Sequence, residues 1–131
     1  MKPNRSIPDA SVIPELPFPD VREGAEWLCR AFGFRERLQI GDHRAQLVYG
    51  DGAVVVIQGE AGQSHVMVRV EDADAHRAQA EAAGAKILSE PADHPYGERQ
   101  YAAEDPAGHI WKFSESIADV DPADWGGTLK D

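Results

Sequence analysis

The run His65-Val66-Met67-Val68-Arg69-Val70 alternates three valines with a histidine, a thioether and a guanidinium. On a strand this turns the valines to one side and puts His65, Met67 and Arg69 together on the other. Imidazole titrates near neutral pH and guanidinium is a fixed donor, so the stripe suits a polar ligand, although a single histidine bonded to a neighbour serves structure equally well. Lys112 stands between Trp111 and Phe113. Strand alternation therefore opposes the ammonium to two aromatics that belong in a core. A desolvated, unpaired Lys112 would be a base or a Schiff-base nucleophile, whereas a paired one is structural. Tyr96 and Tyr101 lie near the end of the chain, with His43 and Tyr49 in an earlier hairpin, and flat aromatic walls are how a cleft grips a planar ligand. Tyr101 is the better cleft candidate, and Arg99 joins the set through the run Tyr96-Gly97-Glu98-Arg99. Asp105, Gly108 and His109 read as turn residues with structural work, His76 and His94 as surface residues, and Cys29 as an inert helix thiol. No Gly-rich phosphate loop, nucleophile elbow or His-Glu-x-x-His run is present.

The elements that must position these groups follow from local signals. Val12 to Phe18 is an extended run, after which Asp20 caps a helix with Glu23 three residues on and Gly33 stops it. Phe34 to Ile40, Arg44 to Tyr49 and Ala53 to Gln58 are strands separated by hairpin signals at Gly41-Asp42 and Gly50-Asp51-Gly52. A second series begins at Ser64: a strand to Val70, an alanine-rich helix capped by Asp72 and stopped by Gly84, and an extended Lys86 to Leu88. The strands Glu98 to Glu104 and His109 to Ser114 then join through Asp105-Pro106-Ala107-Gly108. Asp20 and Asp72 are offset by 72 − 20 = 52 residues, and Gly33 falls within one residue of Gly84 at that offset. The chain thus reads as an internal repeat of two βαβββ units. The expected layout is a flexible N-terminus over 1–9, one domain over 10–117 with modules at about 10–60 and 62–117, and a C-terminal tail over 118–131 pinned by Trp125.

Composition narrows the function classes. The chain has 131 residues, enough for one domain with a sizeable core. Its net charge of −10 argues against nucleic acid and favours a cationic ligand by steering. An apolar fraction of 42% is that of a folded protein, and no stretch is long enough to span a bilayer, so no membrane partner is expected. The N-terminus lacks an apolar signal region, and the lone cysteine fits a reducing compartment, which makes the cytoplasm the expected location.

Two βαβββ units carrying Trp27-Leu28-Cys29-Arg30-Ala31-Phe32-Gly33-Phe34, Val70-Glu71-Asp72-Ala73-Asp74-Ala75-His76, and Tyr96-Gly97-Glu98-Arg99-Gln100-Tyr101 before Asp105 to Trp111 resemble the vicinal oxygen chelate superfamily. That superfamily includes glyoxalase I, extradiol dioxygenases, fosfomycin-resistance transferases and bleomycin-resistance proteins. The resemblance implies an α+β fold, with two modules forming paired curved mixed sheets around a cleft that His65, Met67 and Arg69 line. It also implies a homodimer whose cleft borrows residues from the partner. Metal-dependent members take ligands from the first and last strands of the modules, and the matching positions here are Ile13, His65 and Lys112, with Val56 to Gln58 where a further carboxylate would stand. Only His65 is a ligand type, with Glu15 as its one substitute partner, so no cofactor is expected; the alternative is one divalent ion. Glu15 and Lys112 would face one another across the cleft, more often as an ion pair than as an acid-base pair. The resemblance is closest to bleomycin-resistance-like members, which bind a small, aromatic or cationic molecule such as an antibiotic without turnover. The alternative is a lyase, isomerase or dioxygenase of the same superfamily.

Overall fold

A computed structural model describes residues 4–62 and 64–129. The elements run β1 (Glu15–Phe18), α1 (Val21–Phe32), β2 (Arg35–Ile40), β3 (Arg44–Tyr49), β4 (Gly52–Gln58), β5 (His65–Arg69), α2 (Ala73–Ala82), β6 (Lys86–Asp93), β7 (Glu98–Glu104) and β8 (Ile110–Ser116), followed by a single 3-10 turn at Pro122–Trp125. Two mixed four-stranded sheets result, in the orders β1-β4-β3-β2 and β5-β8-β7-β6. In each, the first strand of the module pairs parallel with the last, and the remaining pairs are antiparallel. This is the α+β architecture of repeated βαβββ units expected from the sequence.

The helix starts work as their residue types require. The Asp20 side chain accepts from the Glu23 amide at 3.0 Å, and Asp72 does the same for Ala75 at 3.0 Å. α1 ends at Gly33, whose φ of 85° is a left-handed conformation that a side chain resists. Helix and strand approach so closely that a Cβ on Gly24 would lie 2.5 Å from Cδ2 of Phe18. Two boundaries differ by three residues or more from the sequence expectation. β1 begins at Glu15 rather than Val12, and β6 continues past Leu88 to Asp93, through Pro91. Proline is tolerated there because β6 is an edge strand whose register slips between Ile87 and Ala92.

Both sheets turn their apolar side to one shared core. Leu16, Phe18, Leu47, Val54 and Val56 come from the first sheet, Tyr101, Ala103, Trp111 and Phe113 from the second, and Leu28, Ala31 and Phe32 from α1. Phe32 joins the halves, with its ring 4.9 Å from Trp27, 5.3 Å from Trp111 and 4.8 Å from Phe113. Four side-chain bonds among the described residues cross the same seam, one of them from Gln79 Nε2 to the Arg30 carbonyl at 3.3 Å. Trp27 Nε1 donates to the Ala83 carbonyl at 2.9 Å, His76 Nε2 to the Phe32 carbonyl at 2.8 Å, and His109 Nε2 to the Pro17 carbonyl at 2.7 Å. His109 is fully buried and structural, as its turn position implied, while its Nδ1 finds no partner. His76 corrects the surface expectation. It is buried, accepts from the Tyr101 hydroxyl at 2.5 Å, and burial pushes its pKa down, keeping it neutral.

Candidate functional site

Each sheet presents a second face, turned away from the shared core, and the chemistry lies there. On the second sheet, β5 shows His65, Met67 and Arg69 exposed while Val66 and Val68 are half-buried, the alternation expected from the sequence. Met67 is 67% exposed, unusual for so large an apolar side chain inside a strand. Its register partner on β8 is Lys112, also exposed, so the thioether stands between His65, Arg69 and an ammonium. Trp111 and Phe113 point the other way, into the core. A chain of hydrogen bonds closes the end of this face: Arg69 to the Ser116 hydroxyl, Ser116 and Ser114 to Glu98 at 2.6 Å each, Gln100 to Ser114 at 3.0 Å, and the Tyr96 hydroxyl to Gln100 at 2.8 Å. The two serine donors hold the Glu98 pKa below its usual value, so this carboxylate is spent on structure. Sequence reasoning missed this network. The signal was the same alternation: Gln100, Ala102, Lys112 and Ser114 share a face by register.

Four expected site residues lie elsewhere. Tyr101 is 1% exposed, because it pairs with Phe113 and must take that residue's core-facing side; burial pushes its phenol well above the ordinary range. Arg99 pairs with Glu115 and sits off the outer face, where both Asp74 and Asp93 bind it at 2.9 to 3.2 Å and raise its pKa further. His43 occupies the exposed turn between β2 and β3. Glu15 does not meet Lys112. It binds Arg44 at 2.6 Å on its own sheet, where β4 alone separates the two strands, whereas Lys112 belongs to the other sheet and has no ion-pair partner among the described residues. Tyr96 does reach the end of the second face, stacked on His94 at 5.2 Å and packed against Trp125 at 5.1 Å, so Trp125 pins the tail.

A groove of about 660 Å³ opens between the β3–β4 turn of the first module and β5 of the second. Its walls include Phe34, Tyr49, Val66, Met67 and Arg69, with the Asp51, Glu71 and Glu115 carboxylates along it. Phe34 and Tyr49 form an aromatic corner with rings 5.4 Å apart. Burial first, and the Glu71 charge second, push the Tyr49 phenol up, so it is a neutral hydrogen-bond donor. The site thus joins three of the expected residues, Tyr49, Met67 and Arg69, and adds Phe34.

Residues 12–113 match the family model of the glyoxalase/bleomycin resistance protein/dioxygenase superfamily. The chain belongs to that superfamily. Its fold is similar to that of TioX from Micromonospora sp. ML1, at 35% identity over 81% of this chain and 98% of that one, with a TM-score of 0.74. More distant likenesses show the fold alone: a lactoylglutathione lyase from Agrobacterium tumefaciens (18% identity, 82% and 94% covered, TM-score 0.68) and the fosfomycin resistance protein FosX from Listeria monocytogenes (13%, 82% and 93%, 0.67). No curated protein sequence matches the chain.

The divalent ion of the superfamily's metal enzymes does not fit the residues present here. No group of three or more His, Cys, Asp or Glu able to hold a metal occurs among the described residues. Of the positions that correspond to ligands, Ile13 is apolar and Lys112 would set an ammonium beside any ion at His65, while the substitute Glu15 is held by Arg44.

Proposed function

We propose that this protein binds a small, planar, aromatic or cationic molecule, an antibiotic being one candidate, and sequesters it without turnover. The observation that carries this is the groove, where the Phe34–Tyr49 corner and exposed Met67 offer flat, polarisable surface and the carboxylates of Asp51, Glu71 and Glu115 outnumber Arg69. The volume of about 660 Å³ lies within the roughly 300–1,000 Å³ of drug-sized sites. The net charge of −10 adds steering for a cation. A homodimer belongs to the same proposal, because the outer face of the second sheet leaves Met67 and Lys112 uncovered within one chain and a second copy would cover it. The setting proposed is the cytoplasm.

The test is titration of acridine orange and ethidium, two planar cations, against naphthalene-1-sulfonate as a planar anion, by thermal shift and calorimetry. Preferential stabilisation by the cations supports the proposal, and mass spectrometry should return them unchanged. Stabilisation by none of the three overturns it. A metal-free enzyme is the second reading, favoured by His65 and Lys112 standing exposed on one face with no hydrogen bond or ion pair of their own among the described residues. Chemical conversion of a bound compound that is lost in His65→Ala would select it.

A further inference from the structure

The outer face of the first sheet is roofed by its own chain. Residues 4–8, which precede the family match beginning at residue 12, run across it. Gln46 on β3 is 3% exposed and uses both ends of its amide: Oε1 accepts from Arg37 Nη1 at 2.6 Å, and Nε2 donates to the Ser6 carbonyl at 2.8 Å. Arg37 also donates, from Nη2, to the Arg5 carbonyl at 2.7 Å. The Asn4 side chain shapes the arm by accepting from the Ser6 amide at 3.0 Å, and Pro8 is buried against the sheet. A buried amide left without partners is costly, so Gln46 and the arm stabilise one another.

Beside the arm a partly open depression of about 240 Å³ remains. Ile7, Pro8, Ile13 and Val55 form its apolar walls, and the Glu15–Arg44 pair supplies one acceptor and one donor side by side. An enclosed apolar cavity of about 150 Å³ takes a benzene ring, so this partly open space has room for one ring or two fused rings. We propose that residues 4–8 are a specificity-determining wall: through Ile7 and Pro8 they bound one side of a first-module pocket for a neutral one- or two-ring molecule with adjacent hydrogen-bond donor and acceptor, as in a cyclic amide. This rests on the small-molecule reading above and narrows it for this face.

The experiment compares the full chain with Gln46→Ala and Arg37→Ala. The second variant removes a half-exposed anchor and leaves the sheet interior intact. Trypsin cleavage at Arg5–Ser6 reads the arm without any ligand. Oxindole, a bicyclic amide, and the bulkier dye 1-anilinonaphthalene-8-sulfonate read the pocket. The intact protein should bind oxindole, with the Val55 and Arg44 amide resonances shifting, and should bind the dye weakly. Both variants should be cleaved, and should bind the dye, about tenfold better, the factor that one or two ordinary hydrogen bonds supply. Cleavage rates and dye affinities equal to within about twofold in all three proteins would overturn the wall. Faster cleavage of both variants with neither probe bound by any protein would keep the arm contact and overturn the pocket, while the groove reading stands or falls on its own titration with planar cations.

Discussion

The two modules share a topology and divide the labour of packing unequally. In the first, the helix carries the bulk: α1 buries Val21, Trp27, Leu28 and Phe32. In the second, the helix is thin, with only Ala73, His76 and Ala80 buried on α2, and the large side chains Tyr101, Trp111 and Phe113 come from the sheet instead. A bulky helix and a bulky sheet meet across the seam, where Phe32 packs on Trp111 and Phe113. Two identical modules would have collided there or left a void. The outer faces diverge as well, since the first is roofed and anchored by Gln46 while the second leaves Met67 bare. Backbone pseudo-symmetry therefore does not extend to energetics or chemistry.

The asymmetry can be broken at its strongest point first. Phe32→Ala should cost about 3–5 kcal/mol in chemical denaturation, because it empties a fully buried ring site shared by both modules. A loss under about 1 kcal/mol would mean that the modules are stable separately. Gly24→Ala should cost about 1–3 kcal/mol by forcing Phe18 to move, tightening the bulky-helix side until it strains. His76 sharpens the thin-helix side through pH. Its folded pKa is lowered, so between that value and the unfolded value of about 6.5 the unfolded chain binds more protons, and stability falls as pH falls through this window. Thermal midpoints measured downward from pH 7 should drop less steeply in His76→Gln than in the parent protein, and parallel slopes would remove the imidazole from the seam. The smallest change in stability should come from His65→Ala, within about 0.5 kcal/mol, since the side chain is exposed. Planar-cation affinity should be unchanged in that variant, because His65 does not line the groove, and early unfolding would make His65 a structural residue.

What the sequence disclosed was local. The Asp20–Gly33 and Asp72–Gly84 brackets, the Asp-Pro-Ala-Gly turn and the exposed His65-Met67-Arg69 face each depend on a few consecutive residues and stand as expected. Tyr101 was misplaced because its side is decided by register against Phe113, a contact that alternation within one strand does not specify. His76 looked exposed among alanines because the carbonyl it binds is 44 residues away, in the other module. Glu15 and Lys112 failed as a pair for the same reason: which faces meet is set by how the modules pack. The N-terminus, expected to be flexible over 1–9, is held at residues 4–8 by Arg37 and Gln46, partners that no local signal ties to it; residues 1–3 lie outside the described residues.

The indole of Trp27, bonded to the Ala83 carbonyl across the seam, makes the junction optically addressable. The three tryptophans occupy three distinct settings: Trp27 at the junction, Trp111 fully buried in the core, and Trp125 half-exposed over Tyr96. Variants that keep one tryptophan at a time would let emission wavelength report separately on parting of the halves, melting of the interior and release of the tail. Such spectra would time the order in which the molecule comes apart.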